Sequence, residues 1–230
     1  MKVNAKFDII MPTWDRVDIV KRSIDSVLSQ THKEFCLTVI DDASEDNTQE
    51  IVEGLQDKRI RYIRLEKHKG ASACRNIGIE SSDSELIMYL DSDDIIYKDC
   101  LSIFAESYEE QKWNVAYCGV DLTKDEGKTR RVWHNFPFNK SKLLACNYIP
   151  NLAFTHRRSL IKEIRWDETL KRLQDWDFWC KLVKVTDFFH INKFLGLVYQ
   201  NSHNSISKMD SNNNWYKEAY KKIREGVNEV

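Results

Sequence analysis

Three carboxylates in four residues, Asp91, Asp93 and Asp94 of Asp91-Ser92-Asp93-Asp94, directly follow the apolar run Leu86-Ile87-Met88-Tyr89-Leu90. A short apolar run closed by charge reads as a buried strand, so the acidic group is delivered to one sheet edge. Carboxylates this crowded repel one another, and a shared cation relieves the repulsion. Oxygen donors suit a hard divalent ion, Mg²⁺ or Mn²⁺. Mg²⁺ usually takes one or two protein carboxylates and completes its shell with substrate phosphate and water. The run therefore points to a metal that holds a phosphorylated ligand. A calcium loop does not fit, because Ile96 stands where glycine is needed.

A second acidic pair, Asp175 and Asp177, opens a helical stretch. From spacing alone Asp175 is equally a general base or a helix N-terminal acid favoured by the macrodipole.

The elements that must position these groups alternate. Phe7–Met11 reads as a strand closed by Pro12-Thr13, and Asp15 as the N-cap of a helix carrying Val17, Val20, Ile24, Val27 and Leu28. Cys36–Ile40 is a strand ending in Asp41-Asp42. Asp46 and Gln49 resemble a capping box for a helix with Ile51, Val52 and Leu55. Ile60–Leu65 is a strand, and Gly70 precedes a helix through Ala73 and Ile77. This alternation argues for βαβ units and a parallel sheet, in which ligands bind beyond the carboxyl ends of the strands. Pro12–Asp15, Asp41-Asp42, Gly70 and Asp91–Asp94 all fall there.

The later chain is less regular. A helix through Leu101, Phe104 and Tyr108 leads to a strand at Val115–Val120, a charged turn or loop over Asp121–Arg131, and a strand at Leu152–Thr155. A short helix from Arg158, a helix over Gln174–Val185 and a strand at Phe194–Tyr199 follow. The tail places Trp215, Ala219, Tyr220, Ile223 and Val227 on one helical face.

The bulk numbers suit a folded α/β protein. The chain has 230 residues, 42% hydrophobic and 31% charged, enough for one large domain. A net charge of −1 argues against nucleic acid as a partner. Six dispersed cysteines without a C-x-x-C pair read as small buried hydrophobes in a reducing cytoplasm. The start leads straight into a strand, so neither a signal peptide nor a membrane span is expected. No G-x-x-x-x-G-K or G-x-G-x-x-G cradle occurs.

The ordered motifs resemble family 2 glycosyltransferases. Ile10-Met11-Pro12-Thr13-Trp14-Asp15-Arg16 is similar to that family's "I-I-P-T-Y-N-R", and Ser26–Thr31 to its "S-V-L-x-Q-T". Val39–Ser44 resembles "V-D-D-G-S" with Ala43 in place of glycine. Gly70 with Ala73-Cys74-Arg75-Asn76 resembles "G-x-x-x-A-R-N", with Cys74 a departure. Leu90–Asp94 matches "L-D-x-D-D". Leu173–Asp177 resembles "E-D-W-D" with Gln174 for glutamate, and Tyr199–Ser207 resembles "Y-R-x-H-x-x-S-x-S". The likeness runs from about residue 7 to residue 207 in the family's order.

The resemblance implies a GT-A fold: one compact α/β domain with a Rossmann-like, mainly parallel mixed sheet flanked by helices. Residues 1–97 would be the nucleotide-sugar half, 98–207 the acceptor and catalytic half, and 208–230 an amphipathic helical tail. It implies an inverting, metal-dependent transfer of a sugar from a nucleotide-sugar, expected to be UDP-linked, to a hydroxyl of a glycan or lipid-linked acceptor. Asp93 would hold Mn²⁺ or Mg²⁺ on the diphosphate, with His203 a further metal ligand, and Asp91 would lie near ribose and ion. Asp42 would accept from the uracil N–H, Trp14 would stack on the base, and Pro12, Thr13, Asp15, Arg75 and Ser92 would complete the nucleotide site. Asp42 read alone could instead cap the next helix, Trp14 could be a packed surface aromatic, and Arg75 a structural ion-pair residue. Asp175 becomes the general base of an oxocarbenium-like transfer. Gln174 cannot supply the charge of the usual glutamate.

The tail is expected to pack on the body or on a partner. Its basic side also suits an anionic membrane surface, so the site of action would be cytoplasmic, at the inner face of a membrane. Two competing readings are a haloacid-dehalogenase-like phosphatase with Asp91 as nucleophile and a non-catalytic nucleotide-sugar-binding protein. The first would need its acidic motif to open the domain and Thr or Val in place of Ile95. The second would need no base. Oligomeric state, sugar and acceptor are not legible in these residues.

Overall fold

The runs at Phe7–Thr13, Phe35–Asp41 and Leu86–Tyr89 are buried on both faces, as central parallel strands are, whereas the edge run Ile60–Arg64 is only partly buried. In the computed structural model, residues 5–123, 130–133, 135–152, 154–162, 164–199 and 214–228 are described. Strands β1 (Phe7–Thr13), β2 (Phe35–Asp41), β3 (Ile60–Arg64) and β4 (Leu86–Tyr89) alternate with helices α1 (Val20–Leu28), α2 (Thr48–Gly54) and α3 (Ala71–Ser81). They lie side by side in the order β3-β2-β1-β4, all parallel.

The chain then runs through β5 (Ile95–Ile96), α4 (Cys100–Gln111), β6 (Val115–Thr123), β7 (Arg130–Trp133), α5 (Lys140–Ala145), β8 (Phe154–Arg157), a 3-10 turn (Arg158–Ile161), α6 (Gln174–Leu182), β9 (Phe189–Tyr199) and α7 (Asn214–Asn228). Strand β8 inserts antiparallel between β4 and β6. Strand β9 runs parallel to β6 on the other side, and β5 closes antiparallel on β9. Strand β7 pairs with the far end of β6. All nine strands of the described residues thus belong to one mixed sheet.

The sheet is covered on both faces. Phe7, Ile9 and Met11 of β1 pack with Ile24 of α1 and Phe104 of α4, whereas Ile10 faces Ile79 of α3 and the aromatic layer of α6. That period of two is what a pleated strand imposes. Gly78 sets the distance between α3 and β1, since a Cβ there would lie 2.5 Å from Ile10 Cγ2. Trp166, Phe178 and Trp179 make most of the second layer, with the Trp166 and Phe178 rings stacked at 4.5 Å.

Several local expectations are corrected. Asp15 is not an N-cap: α1 starts at Val20 after a turn, and Asp15 takes a left-handed conformation at φ 49°. Asp46 accepts from the backbone N–H groups of Thr48 and Val17, but Gln49 does not reciprocate and reaches Glu53 instead. The expected loop at Asp121–Arg131 is shorter, because β6 continues to Thr123 and β7 begins at Arg130. The strand expected at Leu152–Thr155 lies at Phe154–Arg157, and β9 starts five residues earlier than expected, at Phe189. Cys146 is exposed, although Cys74, Cys100, Cys118 and Cys180 are buried as expected.

Helix α7 packs on the body. Ala219 and Ile223 are buried, Arg224 Nη1 donates to the Leu144 carbonyl at 2.7 Å, and Lys222 pairs with Asp167 at 2.5 Å. No helix of the described residues is long and apolar enough to cross a membrane.

Candidate active site

The acidic turn after β4 is held by its backbone, which leaves its first and third side chains for other work. Ser23 Oγ and Arg22 Nη2, both from α1, donate to the carbonyls of Ser92 and Asp93 at 2.9 and 2.8 Å. The Asp94 N–H closes the turn on the Asp91 carbonyl at 3.1 Å. Asp94 itself is buried and accepts from the Tyr199 N–H at 3.0 Å, which fastens the end of β9 to the turn. Burial, then the charges of Asp93 and Asp91, pushes its carboxyl well above the ordinary range. Asp94 therefore has a structural partner, while Asp93 keeps 16% of its side chain exposed.

Asp91 keeps 38% of its side chain exposed. It accepts from Arg75 Nη2 at 2.7 Å and from Asn151 Nδ2 at 3.2 and 3.3 Å. The Arg75 guanidinium lies over the Trp166 ring at 4.5 Å. Asn76, the next residue on α3, exchanges two hydrogen bonds with the Trp166 backbone, each at 3.0 Å. Arg16 approaches Asp93 at 3.7 Å.

Asp175 sits in the first turn of α6. Its Oδ2 accepts from Asn147 Nδ2 at 2.8 Å. Desolvation raises its carboxyl above the ordinary value, and the Asn147 bond and the nearby Arg75 charge oppose that rise. Asn147 and Asn151, four residues apart, thus reach Asp175 and Asp91 respectively, which brings the two carboxylates singled out in the sequence to one segment. Gln174 turns away and donates to the Leu170 carbonyl at 2.8 Å.

A second group gathers at the ends of β1 and β2. Trp14 is 45% exposed, with the His68 ring 4.3 Å from its own. Asp15 ties two loops together: its N–H donates to Ser44 Oγ at 3.0 Å and its Oδ1 accepts from the Glu45 N–H at 2.8 Å. Asp42 is buried, and its two oxygens accept from the Lys69 and Gly70 N–H groups, each at 2.7 Å. It therefore shapes the entry to α3 rather than capping α2, whose N-cap is Asn47. Gly70 takes a φ of 93°, which only glycine adopts without strain. Ala43 stands in the left-handed region at φ 62°, so the alanine replaces glycine at a conformational cost. Thr13 is buried with an unpartnered Oγ1, and Pro12 is half-buried beside it. Helix α3 connects the two groups, since Asp42 holds its start and its Arg75 reaches Asp91.

Among the described residues, no group of three or more His, Cys, Asp or Glu side chains forms a ready metal cage. The donor set at the turn, Asp91 and Asp93, still fits a hard divalent ion that completes its shell with phosphate oxygens and water. His203 lies outside the described residues. Sequence reasoning missed Asn147, Asn151, Trp166 and Arg22. The first two carry one faint signal, a pair of amides four residues apart in Asn147-Tyr148-Ile149-Pro150-Asn151.

The model of "Glycosyl transferase family 2" matches residues 8–169. This chain belongs to glycosyltransferase family 2. It is 30% identical over 210 residues to the putative colanic acid biosynthesis glycosyl transferase WcaA of Escherichia coli, covering 84% of this chain and 75% of that protein. It is 28% identical over 200 residues to an E. coli UDP-Glc:alpha-D-GlcNAc-diphosphoundecaprenol beta-1,3-glucosyltransferase, WfgD, covering 86% and 78%. It spans only about a third, 33%, of an uncharacterized glycosyltransferase of Rickettsia felis, to which it is 29% identical over 85% of its own length. Among solved structures, S. aureus TarS 1-349 in complex with UDP superposes with a TM-score of 0.72 at 22% identity, over 84% of this chain and 60% of that one. The family 2 chain therefore has the GT-A fold expected from its motifs. The haloacid-dehalogenase reading is set aside, because the acidic motif follows three βα units instead of opening the domain.

Proposed function

We propose that the protein is an inverting glycosyltransferase that moves a sugar from a nucleotide-sugar, UDP-linked in the first instance, to a hydroxyl of a glycan or lipid-linked acceptor. The observation that carries this reading is that one short segment donates to both carboxylates, Asn147 to Asp175 at 2.8 Å and Asn151 to Asp91 at 3.2 and 3.3 Å. One carboxylate is set apart by desolvation at a helix start, and the other belongs to the acidic turn.

On this reading Asp91 and Asp93 would hold Mn²⁺ or Mg²⁺, whose charge stabilises the departing nucleoside diphosphate. A mannosyltransferase of Pyrobaculum calidifontis with the same fold, TM-score 0.65, has been solved with GDP-Man and Mn²⁺. Trp14 offers an exposed ring to the base, a base N–H would replace His68 Nδ1, now 3.0 Å from Asp42, and Pro12, Thr13, Asp15, Ser92 and Arg75 frame the nucleotide. Asp175 takes the proton from the acceptor hydroxyl as that oxygen attacks the anomeric carbon from the face opposite the leaving group. The bond from the anomeric carbon to the diphosphate oxygen breaks, and configuration inverts. The name of WfgD specifies a diphosphoundecaprenol acceptor, which supports a lipid-linked acceptor at the inner face of a membrane.

The test is a thermal-shift panel of nucleoside diphosphates and their sugars, with and without Mn²⁺, followed by assays of UDP release. Metal-dependent stabilisation by UDP, and transfer lost in Asp93→Ala and Asp175→Asn, is the expected result. A flat panel would overturn the donor assignment. Metal-dependent UDP binding without turnover on any acceptor would favour a non-catalytic binding protein.

A further inference from the structure

Asn147 and Asn151 lie at the two ends of one short segment between α5 and β8, and each donates its amide to a site carboxylate. Asn147 Nδ2 reaches Asp175 Oδ2 at 2.8 Å, and Asn151 Nδ2 reaches both oxygens of Asp91 at 3.2 and 3.3 Å. The other amide atom of each, Oδ1, is buried and has no hydrogen-bond partner. Buried polar atoms without partners are rare in folded proteins and ask for an explanation. The explanation here is electrostatic: turning either amide to satisfy its Oδ1 would aim a carbonyl oxygen at a carboxylate. The two donors thus keep their orientation at the expense of two acceptors.

The residues between them are anchored. Tyr148 and Ile149 are buried, Trp179 Nε1 of α6 donates to the Ile149 carbonyl at 3.3 Å, and Tyr148 Oη accepts from the Asn139 N–H at 2.8 Å. The segment is therefore fixed to the same helix that carries Asp175. Arg75 and Asp91 also bear on Asp175, whereas Lys181 of the same helix pairs with Asp177, one turn further on.

We propose that Asn147 is the positioning residue of the base: by donating to Oδ2 it fixes the carboxylate plane of Asp175 and leaves Oδ1 as the proton acceptor. The inference rests on Asp175 being the base, and its test separates the two claims. Donation to the ionised form also favours that form, which offsets the desolvation of Asp175. Removing the donor should therefore raise the pH at which Asp175 gives up its proton.

The experiment is a carboxyl-carbon NMR titration of Asp175 in the full chain, with its resonance assigned by loss in Asp175→Asn. Wild type is compared with Asn147→Ala and with the near-isosteric Asn147→Leu, which removes the donor without adding a charge and keeps the fold testable if alanine does not. In both variants the Asp175 midpoint should rise by about one pH unit or more. Asn147→Ser, which restores a donor, should return part of the shift. In parallel, the acid limb of UDP release from UDP-glucose or UDP-N-acetylglucosamine should move the same way. An Asp175 midpoint that stays put in folded Asn147→Ala and Asn147→Leu would overturn the proposal. If the midpoint moves but Asp175→Asn still transfers sugar at the wild-type rate, Asn147 positions a carboxylate that is not the base, and the reading of Asp175 fails alone.

Discussion

Arg75 holds its guanidinium 4.5 Å from the centre of the Trp166 ring while its Nη2 donates to Asp91 Oδ1 at 2.7 Å. The indole fixes the plane of the fork, and Asn76 fixes the indole through its backbone. Lysine at this position would keep the charge and lose both the stacking and the planar geometry. Arg75→Lys should therefore raise the Kd for UDP by about tenfold, or about 1.4 kcal/mol. Calorimetric titration with Mn²⁺ present checks this. An unchanged Kd would reduce Arg75 to a structural ion-pair residue.

Asp175→Asn should lower kcat by about 10²–10⁴-fold while leaving the melting temperature near wild type. The wild-type pH profile provides a second check. Because desolvation holds the Asp175 carboxyl above its ordinary value, the base form is lost at a higher pH than for a solvated aspartate. The rate should fall as pH drops through that raised value. An acid limb lying in the range of a free carboxylate would count against Asp175 as the base.

Asp8 in β1 is fully buried, accepts from Thr38 Oγ1 at 2.7 Å and lies 3.7 Å from Arg61. Burial raises its carboxyl above the ordinary 3.8. A folded-state value above the unfolded one means that its stabilising contribution is complete below about 3.8 and is lost as pH rises through the folded value. Asp8→Asn removes this dependence and can keep the Thr38 bond. Its urea midpoint relative to wild type should therefore improve as pH rises from about 3.8 through the raised folded-state value. A pH-independent difference between the two proteins would show that Asp8 does not titrate in that window.

Ala43 stands at a φ of 62°, which an L-residue adopts reluctantly. Ala43→Gly should stabilise the fold by about 0.5–1 kcal/mol, the relief of strain exceeding the added chain entropy. Chemical denaturation checks the sign. Destabilisation would mean that the alanine methyl group makes a compensating contact.

The first half of the fold was legible because β1, β2 and β4 are mainly apolar, interrupted within by Asp8 and Thr38, and their polar ends coincide with the ends of parallel strands. The acidic turn was legible for the same reason, as charge abutting a buried strand. Strand β5 was not, since two isoleucines carry no period. Nor was the early part of β9, where His190, Asn192 and Lys193 interrupt the apolar pattern. The expected loop around Asp121 hid a hairpin because polar residues are tolerated where β6 ends and β7 begins. Asn147 and Asn151 escaped because an amide in a loop has no periodicity, and its meaning appears only when α6 and the acidic turn arrive beside it.

Residues 1–97 are joined to the later chain by two hydrogen-bonded ladders. Strand β4 pairs with β8 through Leu86 and Arg157, and β5 pairs with β9 through Ile95 and Leu197. A chimera that exchanged residues 1–97 between relatives would have to match both ladders, or it would leave bare edges prone to self-association. Grafting only the loops at the strand ends keeps the ladders, so re-engineered specificity should be sought in those loops.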